Sequence, residues 1–286
     1  HADLYQTVSQ YLVRAGLVVL TMDPIGQGER LSYVDPHTGK PIVAPSTRDH
    51  EHVGKQSLPL GDHLARYFVH DMMRALDYLC TRPEVDQDKI GLTGCSGGGT
   101  QTSMMMLLRE PRIAAAAPAA FIMNRESYMY AGQAQDAEQI WTGMTKLGLD
   151  HEDILMAFAP KPVLVLAAEY DFFPIEGTRR TVARTKRFWE MYGESGGLEY
   201  FEDAIRHTYS VLMVKEAAAF FSKHLLGVPL YCSWEGIKPH APELLWCTES
   251  GQVGVDFEEV RGVYEENGER LSELARWAAA ECDSGS

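Results

Sequence analysis

The sequence has no run of about 18 apolar residues of the kind a membrane-spanning helix needs, no internal repeat and no low-complexity tract. Its five cysteines are scattered without a C-x-x-C pair, which removes zinc-ribbon and thioredoxin-like readings. An odd count leaves at least one unpaired. Whether Cys232 and Cys247 pair stays open, and all five reduced is the simpler reading. Positive charge is also scarce: 26 Lys and Arg face 40 Asp and Glu, a formal net charge of −14. Such a surface disfavours nucleic acid and anionic membranes as partners. What remains is an ordinary globular balance, 45% hydrophobic and 23% charged over 286 residues, enough for one large domain or two small ones.

Apolar, β-branched or alanine-rich runs read as buried strands at 16–23 ("GLVVLTMD"), 89–95 ("KIGLTGC"), 112–120 ("RIAAAAPAA") and 161–171 ("KPVLVLAAEYD"), with a weaker one at 197–204 ("GLEYFEDA"). Helical patterns fall at 4–15, 64–82, 100–109, 178–192 and 211–225. Alternating strand and helix predicts an α/β protein, a mainly parallel sheet with helices on both faces. Two excursions interrupt it: a His-, Pro-, Asp- and Gly-rich loop at 29–62, and a mostly helical insertion at 121–159. Long excursions at one edge of such a sheet shape pockets. The division expected is a core at 1–227 and an appendage or connection at 228–286, the latter with a short β segment ("APELLWCTESGQVGV") and an acidic amphipathic helix at 256–280.

The stretch "IGLTGCSGGGTQT" from Ile90 carries chemistry. Gly94, Ser96 and Gly98 fit G-x-S-x-G, where a serine sits on a strained strand-to-helix turn. The pattern alone is equally a glycine-rich turn. Position decides: Ser96 ends one expected strand, Asp171 ends another, and His207 follows the weaker one. Ser, acid, His is the chain order of α/β-hydrolases, and all three fall at the strand ends where open sheets bind ligands. A serine needs a base, and the base needs an orienting acid. The competing acids Glu169, Glu202 and Asp203 fit worse, as do His151, which precedes the acid, and His224, which lies inside a helix. Gly97 would give its N–H to the oxyanion. Cys95 reads as a small buried filler. "DPIGQGER" at 23–30 lacks a Walker lysine and a third Rossmann glycine, so it reads as a tight loop beside the elbow, with Glu29 and Arg30 either anchoring it or merely solvated. His50 and His52 in "HEH" lack a matching carboxylate or cysteine array, so neither a metal nor a cofactor is expected.

"DPIGQGER", "RALDYLCTRPEVDQDKIGLTGCSGGGTQT", "DAEQIWTGMTKLGLDHEDILMAFAPKP" and "AAEYDFFPIEGTRRT" resemble the bacterial acetyl xylan esterase-like α/β-hydrolases over about residues 2–226. The resemblance implies the α/β-hydrolase fold, the triad Ser96, Asp171 and His207, and removal of acetyl or methyl esters from plant or algal polysaccharide. It also implies a secreted or periplasmic protein. Related glucuronoyl esterases carry an Arg after the nucleophile, and here Gly97 stands instead. The helix at Leu4 matches one that normally follows the third strand, so N-terminal strands, and a loop with a second oxyanion N–H, are expected from an additional polypeptide segment. The substrate-binding candidates are His50, His52, Glu138, Gln139, Trp141 and Phe172. A serine peptidase of the same fold and an inactive hydrolase-like binding module are the alternatives.

Overall fold

The computed structural model describes residues 2–35, 37–132 and 135–284. Helices α1 (Asp3–Arg14), α2 (Thr47–Ser57) and α3 (Leu64–Cys80) precede strand β1 (Ile90–Cys95). Then follow α4 (Gly97–Leu107), β2 (Ile113–Ala119), α5 (Arg125–Tyr130), α6 (His151–Phe158) and β3 (Val163–Tyr170). The chain continues through α7 (Ile175–Met191), β4 (Leu198–Arg206), α8 (Val211–Phe221), α9 (Val253–Asp256) and α10 (Val263–Ser284). The sheet runs β1-β2-β3-β4, every pair parallel. No helix among the described residues is long and apolar enough to cross a membrane.

Period-two alternation sorts the strands between two cores. Leu164, Leu166 and Ala168 of β3, with Ala115, Ala117 and Ala119 of β2, face α1 and α8 through Tyr11, Leu12, Met213 and Phe220. Val163 and Val165, with Ala116 of β2, face the other way onto Met105, Leu155, Val182 and Trp189. Each fully buried large side chain contributes about 1.5–3 kcal/mol, so both faces of the sheet are pinned. Gly99 lets α4 pack close to the end of β2, because a Cβ there would fall 2.4 Å from the carbonyl oxygen of Ala119.

The weak run at 197–204 forms β4, which pairs with β3 from Val163–Leu198 to Tyr170–Arg206. The run at 16–23 forms no strand. Leu17 and Val19 pack on the core, but Val18 is 55% and Leu20 41% exposed. Its β propensity finds no ladder partner among the described residues. Facing it, β1 pairs only with β2, and a cavity of about 1060 Å³ is lined both by Leu17–Met22 and by Ile90–Gly94. The tail differs from expectation as well: the expected β segment is a 3₁₀ turn at Pro242–Leu244 followed by α9.

The tail after residue 227 straps back across the core. Tyr11 Oη donates to the carbonyl of Cys232 (2.8 Å) and accepts from its N–H (3.0 Å), and Gln6 bonds both backbone groups of His240. Glu29, 4% exposed, accepts from the N–H of Cys247 (2.9 Å) and from the N–H (2.8 Å) and hydroxyl (2.5 Å) of Thr248. These bonds outweigh the burial that would raise its carboxyl, and hold it below the usual carboxylate range. Arg30 bonds Asp71 (2.7 Å) and the Asp23 carbonyl. The Glu29 and Arg30 side chains therefore anchor the 23–30 loop. Gly28, at φ +55°, fits only because it lacks a Cβ, which would strike the Asp23 carboxylate at 2.1–2.3 Å. The four described cysteines, Cys80, Cys95, Cys232 and Cys247, are free.

Truncating Glu29 leaves several donors without their charged acceptor. The Glu29→Ala variant should lose about 2–4 kcal/mol in urea unfolding, with earlier protease cleavage after residue 227. A loss below about 0.5 kcal/mol, the range of neutral surface changes, would show that the strap does not depend on this carboxylate.

Candidate active site

Ser96 follows β1 and caps α4 with φ +59° and ψ −115°. A non-glycine residue in that region costs about 1–3 kcal/mol and persists only where its surroundings force it. Here they do. The Ser96 N–H donates to the Ala119 carbonyl (3.0 Å), and its carbonyl accepts from Thr100 N–H (2.8 Å). A Cβ on Gly94 would lie 2.6 Å from the backbone of Gly98, so strand and helix pass too closely for any side chain there. Gly98 itself meets nothing within 4 Å, so the third motif glycine is not held by space. The Ser96 hydroxyl makes no capping hydrogen bond to its helix, which leaves Oγ for other chemistry.

Asp171 follows β3 and His207 follows β4. His207 Nδ1 lies 2.8 Å from both carboxylate oxygens of Asp171. The carboxylate is 2% exposed and also accepts from Phe173 N–H (3.1 Å). Phe172 lies tilted against the imidazole with ring centroids 4.4 Å apart. The ring is thus fixed with Nδ1 on the acid and Nε2 turned away from it. The described hydrogen bonds do not include one from Ser96 Oγ to His207; such bonds commonly tighten only when substrate binds.

The rival histidines have other tasks. His151 is buried, accepts the Met123 N–H at Nδ1 (3.3 Å) and packs tilted against Phe121. Burial, with Arg125 adding to it, lowers its pKa to about 3, so it is neutral. His224, in the turn after α8, bonds Glu199 of β4 (3.3 Å). Cys95 is buried beneath the elbow, and burial pushes its thiol up to about 12, consistent with inert filler.

Of the expected pocket residues, His50, Glu138, Gln139 and Phe172 line the cavity that also holds Ser96 and Gly97. Pro45–Thr47 and His50 of the 29–62 segment, and Tyr128, Asp136, Glu138 and Gln139 of the 121–159 segment, line the same cavity as Ser96. The part along residues 17–22 and β1 is apolar. His52 and Trp141 do not line it. His52 is exposed and meets Tyr33 edge-on, and Trp141 donates its indole N–H to the Glu138 carbonyl (2.9 Å). Glu138 Oε1 lies 2.8 Å from where a Gly97 Cβ would be, so any larger residue there displaces the carboxyl. Burial, with help from the Asp136 charge, pushes Glu138 up to about 8 despite His50 nearby. Burial would lower His50, but its contact with Asp136 (3.0 Å) wins and raises the imidazole to about 8. Sequence reasoning missed Asp136; the acidic and amide cluster "DAEQ" was its only signal.

The prolyl oligopeptidase family (Peptidase_S9) matches residues 57–159. No curated protein matches at the level of sequence. Among solved structures, Methylesterase BT1017 aligns with a TM-score of 0.62 at 17% identity, over 95% of this chain and 56% of that one. A carbohydrate esterase family 15 (CE15) glucuronoyl esterase from Caldicellulosiruptor kristjansonii aligns with a TM-score of 0.50 at 18% identity, over 62% of this chain and 57% of that one. The chain has the α/β-hydrolase fold, and it spans little more than half the length of either structure.

Because His151 is held neutral, the unfolded chain takes up its proton near pH 6.5 and the folded chain only near 3. Over that window stability falls as pH falls, by up to about 1.4 kcal/mol per pH unit. His151→Asn keeps an acceptor for the Met123 N–H and removes the titration. Between pH 6.5 and 4.5 the variant should lose less stability in urea than the wild type, and parallel curves would contradict a buried neutral imidazole.

Proposed function

We propose that the chain is a serine carboxylic-ester hydrolase, acting on acetyl or methyl esters of a plant or algal polysaccharide. The observation that carries this reading is the Asp171–His207 pair set at the same sheet edge as a strained serine whose hydroxyl is not spent on its helix. In this reading Ser96 Oγ attacks the ester carbonyl as His207 Nε2 takes its proton. Asp171 holds the tautomer and stabilises the imidazolium. The oxyanion accepts from Gly97 N–H at the start of α4, where the helix dipole also favours negative charge. His207 then protonates the leaving alcohol, and water repeats the sequence on the acyl-enzyme. A neutral Glu138 beside Gly97 does not oppose the oxyanion.

Two features support ester over amide and sugar over lipid. The two solved structures of similar fold are named as esterases, although the peptidase family match keeps amide cleavage as the second reading. The cavity end at Ser96 offers His50, Glu138 and Gln139, groups that hydrogen-bond hydroxyls, with Phe172 as an apolar surface. Gly97, in place of an Arg, disfavours glucuronoyl esters.

Ser96→Ala should cut hydrolysis of p-nitrophenyl acetate by about a thousandfold or more while leaving the melting temperature within a few degrees. Retention of more than about a tenth of the wild-type rate would mean another nucleophile. Release of acetate from acetylated xylan, or of methanol from methylated pectin, with no cleavage of a peptide anilide, separates the ester reading from the peptidase one.

A further inference from the structure

We propose that His50, Asp136 and Glu138 form a binding site for a divalent transition-metal cation of the zinc class, set in the wall of the cavity that holds Ser96. One ligand atom from each residue lies within 4.8 Å of the others. His50 Nε2 sits 2.8 Å from the Ile25 carbonyl, which can only accept, so this nitrogen carries hydrogen. That arrangement fixes the tautomer in which Nδ1 holds a lone pair, the usual outer-shell device of a metal-binding histidine. Nδ1 faces both Asp136 oxygens, at 3.1 and 3.0 Å, and a lone pair cannot face a carboxylate without a positive charge between them.

A proton on Nδ1 meets that need but does nothing for Glu138. Its Oε2 is buried with no hydrogen-bond partner, an uncommon and costly state for a carboxyl oxygen. No Lys or Arg pairs with either carboxyl among the described residues. A divalent cation between the three groups satisfies the orphan oxygen and cancels both carboxylate charges at once. Asp136 is held in place by the Glu138 N–H (3.1 Å), and the 3₁₀ turn Ala137–Gln139 carries Glu138 to the same spot. Bonds of about 2.0–2.2 Å in a tetrahedral shell put donors about 3.3–3.6 Å apart, so from separations of up to 4.8 Å the more distant donors close the shell by side-chain shifts of roughly 0.5–1 Å. One imidazole, two carboxylates and no sulfur fit Zn²⁺, with Mn²⁺ weaker, and the remaining positions open to the cavity. The two carboxylates come 86 and 88 positions after His50, so the short "HEH" motif gave no hint of them.

The test uses metal-stripped full chain and Zn²⁺ alone, read by equilibrium dialysis and melting temperature, and needs no enzymatic activity. The expected result is one tight Zn²⁺ per chain and a higher melting temperature. Glu138→Gln should weaken binding at least about tenfold and abolish the thermal shift. The metal-free Glu138→Gln protein should melt at or above wild type, since it no longer buries an unpaired carboxyl, which shows that the loss is not misfolding. Asp136→Asn gives the second arm. The absence of stoichiometric Zn²⁺ binding would overturn the proposal. So would binding that survives both substitutions, because exposed histidines such as His37, His52 and His240 offer adventitious surface sites.

Discussion

The site depends on one close approach, that of α4 to the ends of β1 and β2. The backbone of Gly98 lies 2.6 Å from a would-be Cβ on Gly94, and the Ala119 carbonyl lies 2.4 Å from one on Gly99. With both contacts made by backbone, the turn between them has room for only one geometry. Ser96 is forced to φ +59°, its N–H is tied to Ala119, and its side chain is thrown clear of the helix. The cost of that turn is local, and the two cores above and below the sheet offset it. Ala116 of β2, in the same core as Met105 and Met106 of α4, belongs to the same device, since a larger residue there would hold α4 away.

A second constraint is charge near the serine. Half-buried Asp136 and buried Glu138 cluster around the His50 imidazole, and Glu138 lies beside the Gly97 N–H that would donate to an oxyanion. Left ionised, Glu138 would oppose any negative charge forming at Gly97. Burial holds it largely neutral, and a cation would cancel it instead. In both cases the end of the cavity beside Ser96 tolerates an incoming anion, while the His207–Asp171 pair keeps its own carboxylate on the opposite side of the ring.

Much of this was legible in the sequence because it is local. The 90–95 run, the glycines around Ser96 and the acid ending "VLVLAAEYD" each carry their structural meaning within a few residues. The 197–204 run read as weak because its polar residues hide a strand that is fixed from outside, by seven register pairs with β3. The 16–23 run shows the reverse: strong propensity, but a strand is a relation between two chains segments, and no partner lies beside this one among the described residues. The tail read as an appendage because Glu29 and Thr248 are 219 positions apart. Asp136 was missed for the same reason, since its meaning comes from His50.

The central claim is that Ser96 is a nucleophile activated by His207 and Asp171. Its most direct test is labelling with a fluorophosphonate, followed by intact mass and peptide mapping. The account predicts one phosphonyl group per chain, carried on Ser96, with a labelling rate that collapses in His207→Ala although the protein stays folded. No adduct, an adduct on another residue, or a rate indifferent to His207 would contradict it.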